Sequence, residues 1–353
     1  MKLITKKSLT ILCLLVFIFQ TSFGQKKQKN KIKRHHNISI NHQGDNADIS
    51  KGYWSIDDDE YGTLIQLSSR KGNSYSFGRD LFFISFYPTN EELSNISNSN
   101  NFIISRAAGT INFNAENGEF TFEVNNEFES FLNSENIISD TSYDFMKLFL
   151  GEIDKNYILN IKALGYQPSI RELGKLGLLN VSIPYINDIN KYYKNLDLNM
   201  ITKFSIHGVS PQYLEGLKDL GYSDMDANMV KKFAVHNVSL KYIEDLNELG
   251  YDLEANMIKK FAIHNISTNY ISGLSDLGYS NLDANTIKNF AIHDISLSYI
   301  ESMLNLNLNK PTAKELKKAK IHGVSAKFVE RANSAGHDSQ DLSDYVKLKI
   351  HGI

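Results

Sequence analysis

From about residue 140 to residue 353, apolar positions recur at helical spacing, in blocks that themselves repeat every 28 or 29 residues. The block at Pro211 shows the rule. Tyr213, Leu214, Leu217 and Leu220 fall at helical spacing and predict one apolar stripe. Ser210 suits an N-cap, because its side chain accepts a bond from an otherwise unpaired amide. Pro211 fits the first helical position, where a missing N–H does no harm. Gly221 supplies a left-handed stop, as do Gly250 and Gly278. A second helix is predicted from Asp226, with Val230, Phe233 and Ala234 turned inward, ending at His236. Glu254, Asp283, Thr312 and Asp341 stand at the same starting register, and Thr312 with Glu315 forms a capping box.

The phrase IHGVS marks the end of each second helix. Its histidines are His207, His236, His264, His293, His322 and His351, at steps of 29, 28, 29, 29 and 29 residues. The next residue is Gly208, Asn237, Asn265, Asp294, Gly323 or Gly352, all types that tolerate left-handed backbone. Three places after each repeat serine comes an aromatic: Tyr213, Tyr242, Tyr270, Tyr299 or Phe328. Degenerate copies lie upstream, at Val181-Ser182…Tyr185 and Ile153-Asp154…Tyr157. Helices of about ten residues are unstable alone in water, so the units must stack as an array.

Between 51 and 135 the pattern changes to period two. Ile111 and Phe113 in TINFN share a face with Phe120, Phe122 and Val124 in EFTFEV. Asn117-Gly118 between them predicts a hairpin in which both residues take positive φ. Leu64 to Leu67, Leu81 to Tyr87 and Phe102 to Ser105 are further strand candidates, and Trp54 is expected to anchor the core. The expected fold is therefore α+β: a small antiparallel β domain, as sheet or sandwich, followed by an α-solenoid of helical hairpins over 140–353.

The N-terminus adds a location. Lys2, Lys6 and Lys7 precede an apolar run from Leu9 to Phe19, and Thr21, Ser22 and Gly24 offer small residues before a cut at Gln25. Residues 1–24 are thus expected to be a signal peptide, since the run is about half the roughly 20 residues a membrane-spanning helix needs. An uncleaved segment would be the only membrane contact. Cys13, the sole cysteine, lies in that run, so the exported chain has no thiol for disulfides, zinc or nucleophilic catalysis. Losing the three signal lysines leaves 35 basic residues against 40 acidic ones. Six basic residues fall between Lys26 and Arg34, and 25–50 is expected to be a disordered basic and polar leader. From Asn37 onward the balance is 29 basic to 40 acidic, which disfavours a phosphate backbone and argues against nucleic acid.

Candidate chemistry is sparse. The histidine ladder could be a metal ladder, a pH sensor, or a structural row packed in a dry seam and bonded to carbonyls. Stacked helices lie about 8–10 Å apart. Zinc holds imidazole nitrogens at about 2.0–2.1 Å, so neighbouring histidines would not share an ion. The structural reading is expected, because Ile206, Val235, Ile263, Ile292 and Ile321 precede the rings. His35, His36 and His42 lie in the flexible leader, where metal binding would be weak and incidental. Asp57-Asp58-Asp59-Glu60 lacks the alternation of a calcium loop and is expected to form a polar hairpin turn. No HExxH, GxSxG or phosphate-cradling glycine loop occurs. The helix–turn–helix units lack the two spaced glycines of helix-hairpin-helix modules. No catalytic, cofactor or metal site is expected.

The segment FSIHGVSPQYLEGLKDLGYSDMDANMVKKFAVH and its copies resemble tandem repeats of bacterial envelope proteins, including extracytoplasmic tails of β-lactam-sensor-type membrane metallopeptidases. IISRAAGTINFNAENGEFTFEVNNEF resembles a β element that often precedes such repeats. The resemblance covers roughly 100–353 and implies a periplasmic or extracellular recognition module. Peptidase activity is not implied, because the multi-span membrane domain and HExxH are missing. The leading expectation is a secreted or periplasmic non-catalytic protein that binds a protein or cell-envelope partner along its repeats. The rivals are an enzyme or ligand sensor with its site in the β domain, and a structural spacer.

Overall fold

The computed structural model describes residues 39–42, 49–71, 82–96, 101–139, 141–194 and 196–352. The signal segment, most of the basic leader, His35 and His36 lie outside the described residues. The fold is α+β. Seven described strands form one antiparallel sheet: β1 (Ser39–His42), β2 (Lys51–Asp59), β3 (Gly62–Ser68), β4 (Phe82–Phe86), β5 (Asn101–Arg106), β6 (Gly109–Asn114) and β7 (Glu119–Val124). Their order is β1-β4-β3-β2-β7-β6-β5. The strand at 39–42 and the buried Ile49 place structure inside the segment expected to be a disordered leader. Backbone pairing with β4 holds that strand, a signal that composition does not carry.

Alternation works as the sequence requires. Ile65 and Leu67, Ile84 and Phe86, Ile111 and Phe113, and Phe120 and Phe122 are all buried on one face. Helices cover that face, so of the two expected forms, sheet or sandwich, the β domain takes the single sheet, with helices packed on it. The helices begin with α1 (Asn90–Ile96), α2 (Asn126–Ser134), α3 (Ser142–Leu150), α4 (Lys155–Ala163) and α5 (Ile170–Leu178). One buried cluster runs from Ile49 through Phe128, Phe145 and Phe149 to Leu173. The boundary expected between 135 and 140 therefore falls inside a core, and the first degenerate hairpins complete the β domain. Gly177 explains how close this packing is. A Cβ there would lie 2.9 Å from the backbone of Gly151, so neither residue tolerates a side chain without movement.

Arg106 fastens the same region. Its guanidinium donates to both carboxylate oxygens of Glu92 at 3.0 Å, and to the Phe149 carbonyl at the end of α3 at 3.0 Å. That cation also lies 4.9 Å from the Phe149 ring centre. Trp54 is only half-buried, with edge contacts to Phe102 and Phe113 at 5.1 and 5.3 Å. Its Nε1 donates to the Asn114 carbonyl at 3.0 Å, which keeps its edge near solvent. The hairpin between β6 and β7 has four loop residues, Ala115 to Gly118, rather than two. Only Gly118 takes positive φ, at 71°, while the Asn114 side chain accepts amides from Glu116 and Asn117. Asp57 to Asp59 belong to β2, and the turn falls on Glu60 and Tyr61.

The repeats continue as first and second helices in alternation. The pairs are α6 (Ile183–Asn190) with α7 (Leu198–Ile206), α8 (Pro211–Asp219) with α9 (Ala227–Val235), and α10 (Leu240–Glu248) with α11 (Ala255–Ile263). They continue as α12 (Thr268–Asp276) with α13 (Ala284–Ile292), α14 (Leu297–Leu304) with α15 (Ala313–Ile321), and α16 (Ala326–Ser334) with α17 (Leu342–His351). First helices from α6 to α14 pack on one another in a row, and second helices from α7 to α17 form another. A continuous core lies between the rows.

Two ladders of tyrosine hydroxyls lock each unit to the next. Tyr185, Tyr213, Tyr242, Tyr270 and Tyr299 of the first helices donate to the carbonyls of Val209, Val238, Ile266, Ile295 and Val324, at 2.5–2.9 Å. Each acceptor is the residue just before the next unit's serine cap. Tyr193, Tyr222, Tyr251 and Tyr279, after the first helices, donate to Met225, Leu253, Leu282 and Pro311 at 2.7–2.8 Å. Those carbonyls precede the next second-helix cap. Tyr213→Phe keeps the ring and removes the bond to Val238, leaving that carbonyl unsatisfied. The expected loss is about 1–2 kcal/mol in denaturant melting.

Candidate functional site

The edge where each second helix turns back into the next first helix carries the histidines. The turn is built the same way every time. In the second unit, Asn237 takes φ 54°, its amide bonds the Ala234 carbonyl, and the Val238 amide bonds the Phe233 carbonyl at 2.9 Å. This is a Schellman ending, which folds the second residue after the cap back onto the helix. Phe233 and Val238 are thereby both buried. Of the four residues between them, Val235 is 43% exposed, Asn237 is exposed, and Ala234 and His236 are half-buried. Left-handed residues at 208, 265, 294, 323 and 352 follow the equivalent histidines.

That geometry corrects the expected dry seam. Ile206, Val235, Ile263, Ile292, Ile321 and Ile350 are 43–52% exposed. His207, His264, His322 and His351 are exposed, while His236 and His293 are half-buried. Among the described residues, none of the six rings makes a hydrogen bond, so the expected bond to a helix-end carbonyl is absent. Burial, helped by the nearby Lys231 charge, lowers the pKa of His207. Among the described residues, no group of three His, Cys, Asp or Glu side chains gathers to hold a metal ion.

Lysine joins the row through helical spacing. Lys203, Lys232, Lys260, Lys318 and Lys347 stand four residues before their histidines, hence on the same side of each helix. Lys203, Lys232, Lys260 and Lys318 form no ion pair within the described residues. Every layer therefore presents an aliphatic residue and a histidine, and five of the six add a lysine. Such an edge can bind an acidic surface through charge and apolar contact together.

A cleft of about 470 Å³ lies beside the β domain, lined partly by Ser139, Asp144, Lys147 and Arg171. Asp144 and Lys147 pair with each other at 2.5 Å. Among the described residues, no helix is long and apolar enough to cross a membrane.

Sequence reasoning found the histidine positions but gave them the wrong surroundings. It also missed the tyrosine ladders, although a hydroxyl kept at two registers where phenylalanine would fill the space is a readable sign of a bond. The fold and edge together define the class: an α+β protein with a helical repeat region and a repeated, outward-facing row. Comparison with protein-family models, curated proteins and solved structures gives no match to this chain.

Proposed function

We propose that this is a non-catalytic binding or scaffolding protein of the bacterial periplasm or exterior, which engages a macromolecular partner along the histidine edge of its repeats. One observation carries the reading. Six layers leave an Ile or Val 43–52% exposed at the same register, beside core positions such as Phe233 and Val238 that are fully or almost fully buried. Repeated outward apolar groups beside unpaired cations suit contact with another surface. The signal-like N-terminus and the resemblance to envelope repeats support an exported role.

The test is a double variant, Ile263→Ser with Ile292→Ser. Exposed substitutions of this kind change stability by about 0.5 kcal/mol or less each, so the fold persists. Immobilised wild-type chain should retain a discrete envelope component that the variant retains at least about tenfold less, a difference of about 1.4 kcal/mol. Equal retention, or no retention of any macromolecule by either, a second copy of the chain included, overturns the proposal.

A further inference from the structure

We propose that the surface met by the histidine edge is the acidic edge of a second copy of this chain. The proposal rests on the binding reading above and identifies its partner.

Charge is sorted along the repeats. The windows 202–213, 231–242, 259–270, 288–299, 317–328 and 346–352, which contain the histidine turns, hold 13 lysines and one acidic residue, Asp294. The stretches between those windows, from 214 to 345, hold 17 acidic residues and four basic ones. These stretches contain the ends of the first helices, the connecting loops and the caps of the second helices. The second helices α9, α11, α13 and α17 begin on an acidic edge and end on a basic one, whereas before α15 Lys310 and Lys314 balance Glu301 and Glu315. The acidic whole chain therefore conceals a strongly basic border, which net charge alone could not reveal.

Both borders are available. Lys232, Lys260 and Lys318 form no ion pair, and neither do Glu244, Glu248 and Asp276 on the other edge, among the described residues. Glu244, Glu248 and Asp276 are all exposed. Apolar contact is available as well, since Leu249 at the acidic edge is 39% exposed against the outward Ile and Val row.

Repeat spacing selects a second copy over another acidic protein. Both edges belong to the same stacked units, so they advance by the same step in every layer. A copy laid alongside brings lysine opposite carboxylate in most layers, whereas a partner with another spacing matches in one layer and drifts in the next. The contact joins two different edges. Each added copy therefore leaves one basic and one acidic edge free, and association is open-ended.

Sedimentation velocity of the full exported chain tests this at about 20 mM and about 500 mM salt, because screening at high salt shortens the reach of charge to a few ångströms. Concentration-dependent assemblies are expected at low salt, with monomer at high salt. Lys232→Glu with Lys260→Glu and Lys318→Glu should remain monomeric at low salt. Glu244→Lys with Glu248→Lys and Asp276→Lys should retain the lysine edge but lose its complement, and so should also remain monomeric. Neither set touches a buried or capping residue, and circular dichroism should show both variants folded. Equimolar mixtures of wild type with either variant should give short capped assemblies, because each variant keeps one competent edge. A wild type that is monomeric at low salt, or assembly indifferent to both reversals, overturns the proposal. If that monomer still retains an envelope component through Ile263 and Ile292, the second-copy assignment fails while the binding reading stands. Failure of both experiments overturns both.

Discussion

Phe233→Ala is expected to destabilise the repeat region by about 3–5 kcal/mol, measured by denaturant melting. Phe233 is fully buried, and so are Phe204, Phe261 and Phe290 at the same register. Each ring sits beneath the Schellman turn, so truncation removes core contacts and also undermines the turn that orients the histidine edge. Loss should begin locally and spread, because each unit is held chiefly by its two neighbours. The chain itself places Ala319 at this register in α15, where it is also fully buried. Alanine is thus admissible where the local packing has adapted to it, with the bulky, buried Tyr345 of α17 in the same core. A change within error for Phe233→Ala would mean that the middle layers can collapse in the same way.

Alkaline titration should unfold the repeats more sharply than any acid titration near neutrality. Burial raises the pKa of the ladder tyrosines, with Tyr193, Tyr270 and Tyr279 pushed up to about 12. Tyr185, Tyr213, Tyr242 and Tyr299 are also shifted upward, again by burial. The sign follows from the neutral phenol being the donor. An unfolded tyrosine ionises near pH 10, whereas the folded one holds its proton longer. Their stabilising contribution is therefore complete below about pH 10 and lost as pH rises toward about pH 12. Several tyrosines titrate together, so melting temperature should fall steeply over that window, in step with phenolate absorbance. Tyr242→Phe should be less stable at about pH 8 yet lose less over the same alkaline window, since one proton is gone from the linkage. A flat melting temperature to about pH 11.5 would show that the hydroxyl bonds contribute little.

The acid side is correspondingly mild. Burial and the nearby Lys231 charge lower the pKa of His207, while the row as a whole lies on an outward-facing edge rather than in a dry seam. Acidification should weaken the contribution of that one ring, which is present above the ordinary histidine pKa near 6.5 and lost below it.

Much of this architecture is local and was therefore readable. The serine and aspartate caps, Pro211, the glycine stops and the left-handed residue after each histidine are determined by backbone chemistry within a few residues. The structure places Ser210, Asp226, Thr312 and the positive-φ positions where those rules put them. Period-two alternation likewise identified the buried face of the sheet. By itself, the sequence determined the repeat, the ends of its helices and the alternation of the principal strands.

Direction in space was decided only by tertiary structure. An isoleucine beside a histidine reads as core, yet the Schellman turn gives the two buried slots to the residues one place further out on each side, Phe233 and Val238 in the second unit. Tyr213 reads as part of an apolar stripe until its hydroxyl meets Val238 in the next unit, 25 residues away. The strand at 39–42 exists through pairing with β4, and the first hairpins join the β core through packing against the sheet. Charge sorting has the same origin. Residues that alternate along the chain become two opposed borders once the helices stack, because stacking brings equal registers together and keeps unlike registers apart.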